Sequence, residues 1–280
     1  MKILITGIFG FLGRHLAEKL SEQHDVVGLY HTSKQIQFSK KIKCYNQLDL
    51  INDLPDVVIM CHAAVESGTN TLEKEKLFDC NVNFTKRVVE KFSTTKTIYI
   101  SSVSVFGNFK GIIDETTAVN PENQYALSKL LGENEVKKNP KGFIVRFSSL
   151  YGNGMKENTL IPNYCNQALN SNNIQVWGNG SRYQNYIHVD DAVCLIEKMI
   201  LFDEKIEFPV LGVSSKEYSN DEVAKIVSDL TGSRITYLNE DKALSFYYTN
   251  ELTQNVLNWQ SETELKIGLK YYLAWKEKQF

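Results

Sequence analysis

Arginine is scarce in this chain, and an excess of positive charge is missing. Only Arg14, Arg87, Arg146, Arg182 and Arg234 are arginines among 31 basic residues, and 33 acidic residues leave a net charge of −2. A binder of phosphate backbones needs a basic stripe, so nucleic acid is excluded as an expected partner. Long apolar runs are lacking too. The longest, Val57–Val65, carries His62 and is far too short to span a bilayer, so no membrane partner is expected. Cysteine is limited to positions 44, 61, 80, 165 and 194, an odd count without paired or metal-like spacing. Neither a disulfide framework nor a metal site is expected, and the thiols read as reduced. Met1 through Gly7 shows no leader-like stretch, so the expectation is a cytoplasmic protein. Internal repeats and low-complexity tracts are absent. What is present is 280 residues at 42% hydrophobic and 23% charged, enough for a real core and for one large domain or two small ones.

Lys2–Thr6, Asp25–Tyr30, Asp56–His62, Lys96–Ser102 and Phe143–Phe147 are short runs rich in branched and aromatic residues. Between them Phe11–Gln23, Thr71–Phe92 and Glu122–Lys138 repeat apolar residues at helical spacing. This alternation predicts an α/β fold, a doubly wound parallel sheet with helices on both faces. The rhythm changes after Tyr151-Gly152-Asn153-Gly154. Helices are then expected at Asn158–Ser171, Asp190–Phe202, Asn220–Thr231 and Glu262–Lys278, with capping boxes at Ser219/Glu222 and Ser261/Glu264. Asn120-Pro121 offers a start for the helix carrying Tyr125. The expected division is 1–152 as a dinucleotide-binding domain and 153–280 as a smaller, mostly helical substrate-binding part. Segments around 185–212 are expected to return to the main sheet.

Three motifs carry chemistry. Thr6-Gly7-Ile8-Phe9-Gly10-Phe11-Leu12-Gly13 joins the first strand to the first helix. Glycines there let backbone N–H groups and the helix N-terminus approach a pyrophosphate, although the same loop also serves as a tight βα turn. Tyr125 and Lys129, spaced i, i+4, share one helical face, where a cation lowers the pKa of a phenol. Alone, such a pair is equally a surface contact. Ser101-Ser102-Val103-Ser104 ends a buried strand in hydroxyls, at the carboxyl edge where open parallel sheets bind ligands.

Together these motifs resemble the extended short-chain dehydrogenase/reductase family, the nucleotide-sugar branch of NAD-dependent epimerases and dehydratases. The resemblance continues through Asp49-Leu50, Cys61-His62-Ala63-Ala64, Val105-Phe106-Gly107, Arg146 to Gly152, Tyr186-Ile187-His188-Val189-Asp190-Asp191 and Val256-Leu257-Asn258-Trp259. It implies a Rossmann-type fold and hydride transfer at a sugar carbon, with Ser102, Tyr125 and Lys129 catalytic. Tyr125 would exchange the proton, Lys129 would lower its pKa and hold the nicotinamide ribose, and Ser102 would bond the reacting oxygen. Gly7, Phe9, Gly10, Phe11 and Leu12 would cradle the coenzyme. Asp49, Leu50, Ala63, Ala64 and Phe147 would line it, together with His31, Ser33 and Lys34. Glu66, Ser102, Ser104, Ser149 and Arg182 would face the substrate. A homodimer through Thr71–Phe92 and Glu122–Lys138 is implied.

Departures from the family pattern shape the functional expectation. NAD-preferring members place an acid after the second strand, where this chain reads Tyr30-His31-Thr32-Ser33-Lys34. Hydroxyls, a histidine and a lysine suit a 2′-phosphate, so between NAD and NADP the latter is favoured. The family's phosphate-binding arginine is Gln184 here, and Arg182 stands two residues earlier as a substitute. Ser149 replaces a frequent asparagine. Val103 and Ser104 stand where 4,6-dehydratases carry an Asp-Glu pair, which argues against a dehydratase. The leading expectation is an NAD(P)-dependent C4 epimerase or 4-keto reductase of a nucleotide sugar. An NADPH-dependent reductase of a non-nucleotide ketone and a non-catalytic dinucleotide-binding regulatory subunit are the alternatives.

Overall fold

A computed structural model describes residues 1–31, 37–65 and 73–279. β1 (Lys2–Thr6) runs into the glycine loop and α1 (Phe11–Leu20) out of it. β2 (Asp25–Leu29), β3 (Lys43–Tyr45) and β4 (Val57–Met60) follow, then α2 (Lys74–Phe78), a π-helical turn over Asp79–Asn83, and α3 (Phe84–Lys91). β5 (Lys96–Ser102), β6 (Ile112–Ile113), α4 (Gln124–Val136) and β7 (Gly142–Phe147) complete the first half. The second half holds β8 (Ser149–Tyr151), α5 (Leu160–Ser171), β9 (Asn173–Trp177), β10 (Tyr183–His188) and α6 (Val189–Leu201). β11 (Val210–Gly212), β12 (Glu217–Ser219), α7 (Asn220–Thr231), β13 (Arg234–Leu238), β14 (Tyr247–Tyr248), α8 (Glu251–Leu257) and α9 (Leu265–Glu277) close the chain.

The main sheet has seven parallel strands in the order β11-β7-β5-β4-β1-β2-β3. This is a Rossmann-type doubly wound α/β fold, in which the order of the parallel strands reverses between β1 and β4. β4 is buried throughout, as expected for a strand covered on both faces. One core packs Leu12, Leu16, Leu195 and Met199 from α1 and α6 on one face, and a second packs Val88, Val89 and Val136 from α3 and α4 on the other. A third, around Tyr164, Val223, Leu269 and Tyr272, unites α5, α7 and α9.

Several expected boundaries move, each for a tertiary reason. Of the segments expected to return to the main sheet, only Val210–Gly212 does so; Tyr183–His188 pairs instead with β8 and β12 in a separate three-stranded sheet. The Ser261/Glu264 capping box does not form. α9 starts at Leu265, and the N–H groups of Glu262 and Thr263 donate to the Asp191 carboxylate at 3.2 and 3.1 Å. Asn120 does not cap α4 either: its N–H donates to Val105 O at 2.9 Å, and the cap is Asn123, whose side chain accepts from Ala126 N at 2.8 Å. Ser219 and Glu222 form the reciprocal box expected of them, at 3.1 and 2.7 Å.

Candidate active site

The glycine loop is shaped by what its glycines exclude. Gly7 adopts φ +67°, and a Cβ there would lie 2.8 Å from the backbone of His62. A Cβ on Gly13 would sit 2.3 Å from Gly7 O. Gly10 is exposed at the N-terminus of α1, where no side chain caps the first-turn N–H groups. The arrangement offers donors and a partial positive charge to an anion.

Beyond the carboxyl ends of β4 and β5 the catalytic candidates converge. Ser102 ends β5, and its Oγ accepts from Ser104 N at 3.2 Å. Tyr125, half-buried in the first turn of α4, is hydrogen-bonded to Ser102. One turn on, Lys129 is buried with its Nζ 4.1 Å over the ring of Tyr99. That Nζ has no hydrogen-bond partner among the described residues. A buried ammonium without an acceptor is poised for one that arrives with a ligand. Taken with the open glycine cradle, the residues fit an extended dinucleotide. The expected electrostatics need one correction. Burial raises the Tyr125 phenol to about 12, against a smaller lowering by Ser102. Lys129 falls to about 8, again chiefly through burial. In the free protein desolvation decides the state of the phenol, and Ser102 is the neighbour that opposes it.

Behind the site runs a polar relay that motif reading missed. Thr85 Oγ1 donates to Asn81 O at 2.9 Å, so it accepts from His62 Nε2 at 2.9 Å. His62 Nδ1 then accepts from Thr6 Oγ1 at 2.6 Å. Burial drives the imidazole to about 3, so it stays neutral. Asn81, buried in the π turn, bonds Ala64 N and O at 2.9 Å each and Ser128 Oγ at 2.9 Å; Ser128 Oγ in turn donates to Tyr125 O at 2.7 Å. The relay ties the strand before the glycine loop to the helix that carries Tyr125. An asparagine inside an otherwise helical stretch was the available signal, because π turns cluster at functional sites.

The other expected positions spread around this centre. Phe9 stacks on Phe38 at 5.7 Å and tilts against Tyr30 at 5.1 Å. It borders a cavity of about 500 Å³ that Lys40 and Lys41 also line. Phe11 and Leu12 open α1, Leu12 buried and Phe11 edge-on to His15. His31 is exposed, whereas Ser33, Lys34 and Glu66 lie outside the described residues. Asp49 is exposed 3.6 Å from Arg87, and Leu50 is exposed beside it. Ala63 and Ala64 follow β4, and Phe147 is buried opposite Ser102 in the β5–β7 register. Ser104 Oγ is buried without a described partner, and Ser149 is exposed opposite Tyr186. Arg182 is not brought to the Tyr125 centre. It donates to Leu244 O at 3.2 Å and lines a second cavity of about 330 Å³ with Tyr164, Trp177, Asn220 and Asp241. No group of three or more metal-ligating side chains occurs among the described residues, and no helix among them is long and apolar enough to cross a membrane.

A doubly wound sheet with a glycine cradle after β1 and a Ser–Tyr–Lys arrangement at the end of β5, one strand apart on its carboxyl edge, defines a dinucleotide-dependent enzyme class. Residues 3–208 match the model of the NAD dependent epimerase/dehydratase family, and the chain belongs to that family. It is 25% identical over 98% of its length to YtcB of Bacillus subtilis, described as an uncharacterized UDP-glucose epimerase, and covers 98% of that protein. Over 82% of its length it is 27% identical to a dTDP-D-glucose 4,6-dehydratase of Dictyostelium discoideum, of which 62% is covered. A UDP-glucuronic acid 4-epimerase from Bacillus cereus, solved with UDP-glucuronic acid and NAD, shares the fold at a TM-score of 0.87, with 19% identity and 100% of both chains covered.

Proposed function

We propose that this chain is a nucleotide-sugar C4 epimerase that uses NAD, with Ser102, Tyr125 and Lys129 as its working groups. The observation that carries the reading is the buried Lys129 ammonium, without an acceptor of its own, one helical turn from a phenol bonded to Ser102. Gly7, Gly10 and Gly13 would hold the pyrophosphate, and Lys129 the ribose hydroxyls next to the nicotinamide. The nicotinamide supplies a hydride acceptor and donor. Tyr125 would take the proton of the sugar hydroxyl as that carbon gives up its hydride and return it when the ketone is reduced. The phenol, near 12 in the free protein, has to lose its own proton for the first step, which the Lys129 ammonium and the positive charge of the oxidised nicotinamide would favour. Ser102 bonds the same oxygen and steadies its changing charge. Relatives described as UDP-glucose epimerases support the substrate class, with Arg182 beside the second cavity as the phosphate contact. Against elimination of water, Val103 and Ser104 offer no carboxylate after Ser102.

A second reading, an NADPH-dependent 4-keto reductase, is favoured by the absence of an acid at Tyr30–Lys34 and by Lys41 beside the cavity that Phe9 borders. The homodimer through α3 and α4 belongs to either reading. Denaturing the purified protein and weighing the released dinucleotide separates them: stoichiometric NAD supports the epimerase, and an unloaded protein that prefers NADPH to NADH supports the reductase. Tyr125→Phe is expected to lower turnover of UDP-sugars by about 10²–10⁴-fold. Unchanged turnover in that variant overturns both readings.

A further inference from the structure

Resting on the reading that Tyr125 and Lys129 perform the chemistry, a question remains about what keeps Lys129 charged. The groups facing it are Cys61 and His62 after β4, Cys80 in the π turn, Tyr99 on β5, and Tyr125 and Glu133 on α4 itself. Burial raises both thiols and the Tyr99 and Tyr125 phenols and depresses the imidazole, so each of these is neutral near pH 7. Glu133 is the one carboxylate among them.

Glu133 is fully buried and held by three donors: Ser101 Oγ at 2.6 Å, Arg146 Nε at 2.9 Å and Arg146 Nη2 at 2.7 Å. Ser101 is the residue before Ser102. Arg146 comes from β7 and lies 4.9 Å over the Phe106 ring. On α4, Tyr125, Lys129 and Glu133 recur every fourth residue and share a face. A buried Arg–Glu pair contributes little to stability that a packed apolar pair would not. An apolar pair would lack a negative charge one turn from Lys129.

We propose that Glu133 is a positioning residue: clamped by Ser101 and Arg146, its carboxylate fixes the strand end carrying Ser102 against the helix carrying Tyr125, and it is the counter-charge through which Lys129 keeps its proton. The direct readout is the titration of Lys129 in protein labelled with ¹³C-lysine, followed at Cε and assigned with Lys129→Met. Glu133→Gln keeps the shape and the acceptor for Ser101 but removes the charge. The Lys129 midpoint, about 8 in the parent, is expected to fall by about one pH unit, a tenfold loss of its proton affinity. The alkaline limb of kcat should fall with it, while KM changes less than about twofold. Because Glu133→Gln strands the Arg146 charge, Glu133→Gln/Arg146→Met is measured beside it. That double variant removes both charges of the buried pair, so its Lys129 midpoint should return part of the way toward the parent value. A Lys129 midpoint at the parent value in folded Glu133→Gln, or full kcat with a parental alkaline limb in that variant, overturns the proposal. Tyr125→Phe run in parallel tests the underlying reading separately, since Lys129 titrates whether or not the enzyme turns over.

Discussion

Gly10 and Gly13 occupy one loop but should fail in different ways when each gains a methyl group. A Cβ on Gly13 meets Gly7 O at 2.3 Å and Ile8 Cα at 3.0 Å, both backbone atoms that cannot swing aside. Overpacking of this kind costs about 1–3 kcal/mol, toward the upper end where no flexible group can yield. Alanine's helix propensity returns up to about 1 kcal/mol within α1. The net loss for Gly13→Ala is then about 1–2 kcal/mol, or roughly 2–8 °C in Tm for a chain this size. Gly10→Ala is different. Gly10 is exposed at φ −69°, ordinary for any residue, and its Cβ would meet only Gly7 O, at 3.0 Å. Its stability should change by no more than about 0.5 kcal/mol. The new methyl would stand where a pyrophosphate approaches the helix N-terminus, and a tenfold loss of NAD affinity corresponds to about 1.4 kcal/mol. Thermal denaturation followed by circular dichroism gives one axis and NAD titration by calorimetry the other. Gly10→Ala should keep its Tm and lose NAD, whereas Gly13→Ala should lose Tm as well. Parental NAD affinity in Gly10→Ala would refute the cradle, and an unshifted Tm in Gly13→Ala would refute the steric argument.

His62 should leave a signature in acid. Its pKa is about 6.5 unfolded and about 3 folded, so below pH 6.5 the unfolded chain binds the extra proton and stability falls, by up to about 1.4 kcal/mol per pH unit. Urea midpoints between pH 7 and 4.5 should therefore decline more steeply in the parent than in His62→Gln; parallel slopes would mean that the imidazole is not held neutral. Ser219→Ala removes one half of the capping box on α7 and should cost about 1 kcal/mol by urea denaturation, with no effect on NAD binding.

The parts of the fold legible in the sequence were those in which local pattern and tertiary role coincide. β1 and β5 match their expected runs residue for residue, because strands buried on both faces read as continuous apolar segments. Asn220–Thr231 is likewise bounded as expected, since its capping box and its Gly232 stop are both local. Elsewhere a distant partner decided. β3 is a three-residue edge strand whose Lys-Cys-Tyr sequence has no strand signature until β2 pairs with it. The start of α9 is set by Asp191, 71 residues before Glu262, and no local pattern encodes that contact. In the site, Ser102, Tyr125 and Lys129 were visible as a spacing. The desolvation that raises the phenol instead of lowering it was not, because it depends on everything packed around the pair.

That inversion says where the rest of the chemistry resides. A tyrosine and a lysine four residues apart are common on helices; here the helix that carries the pair is held from two sides by residues outside the Ser102–Tyr125–Lys129 group. Asn81 grips Ser128 from the π turn, and Ser101 and Arg146 converge on Glu133 from β5 and β7. Each anchor is polar and buried, and losing one partner would leave a group unsatisfied at about 1–3 kcal/mol. Such anchors make poor core. A packed apolar cluster would secure α4 with less desolvation, but it would fix neither the register of α4 against the β5 terminus nor the sign of the charge beside Lys129. The polar anchors therefore account for the separation of this site from a chance Tyr–Lys pair, and they lie at positions that motif spacing alone does not mark.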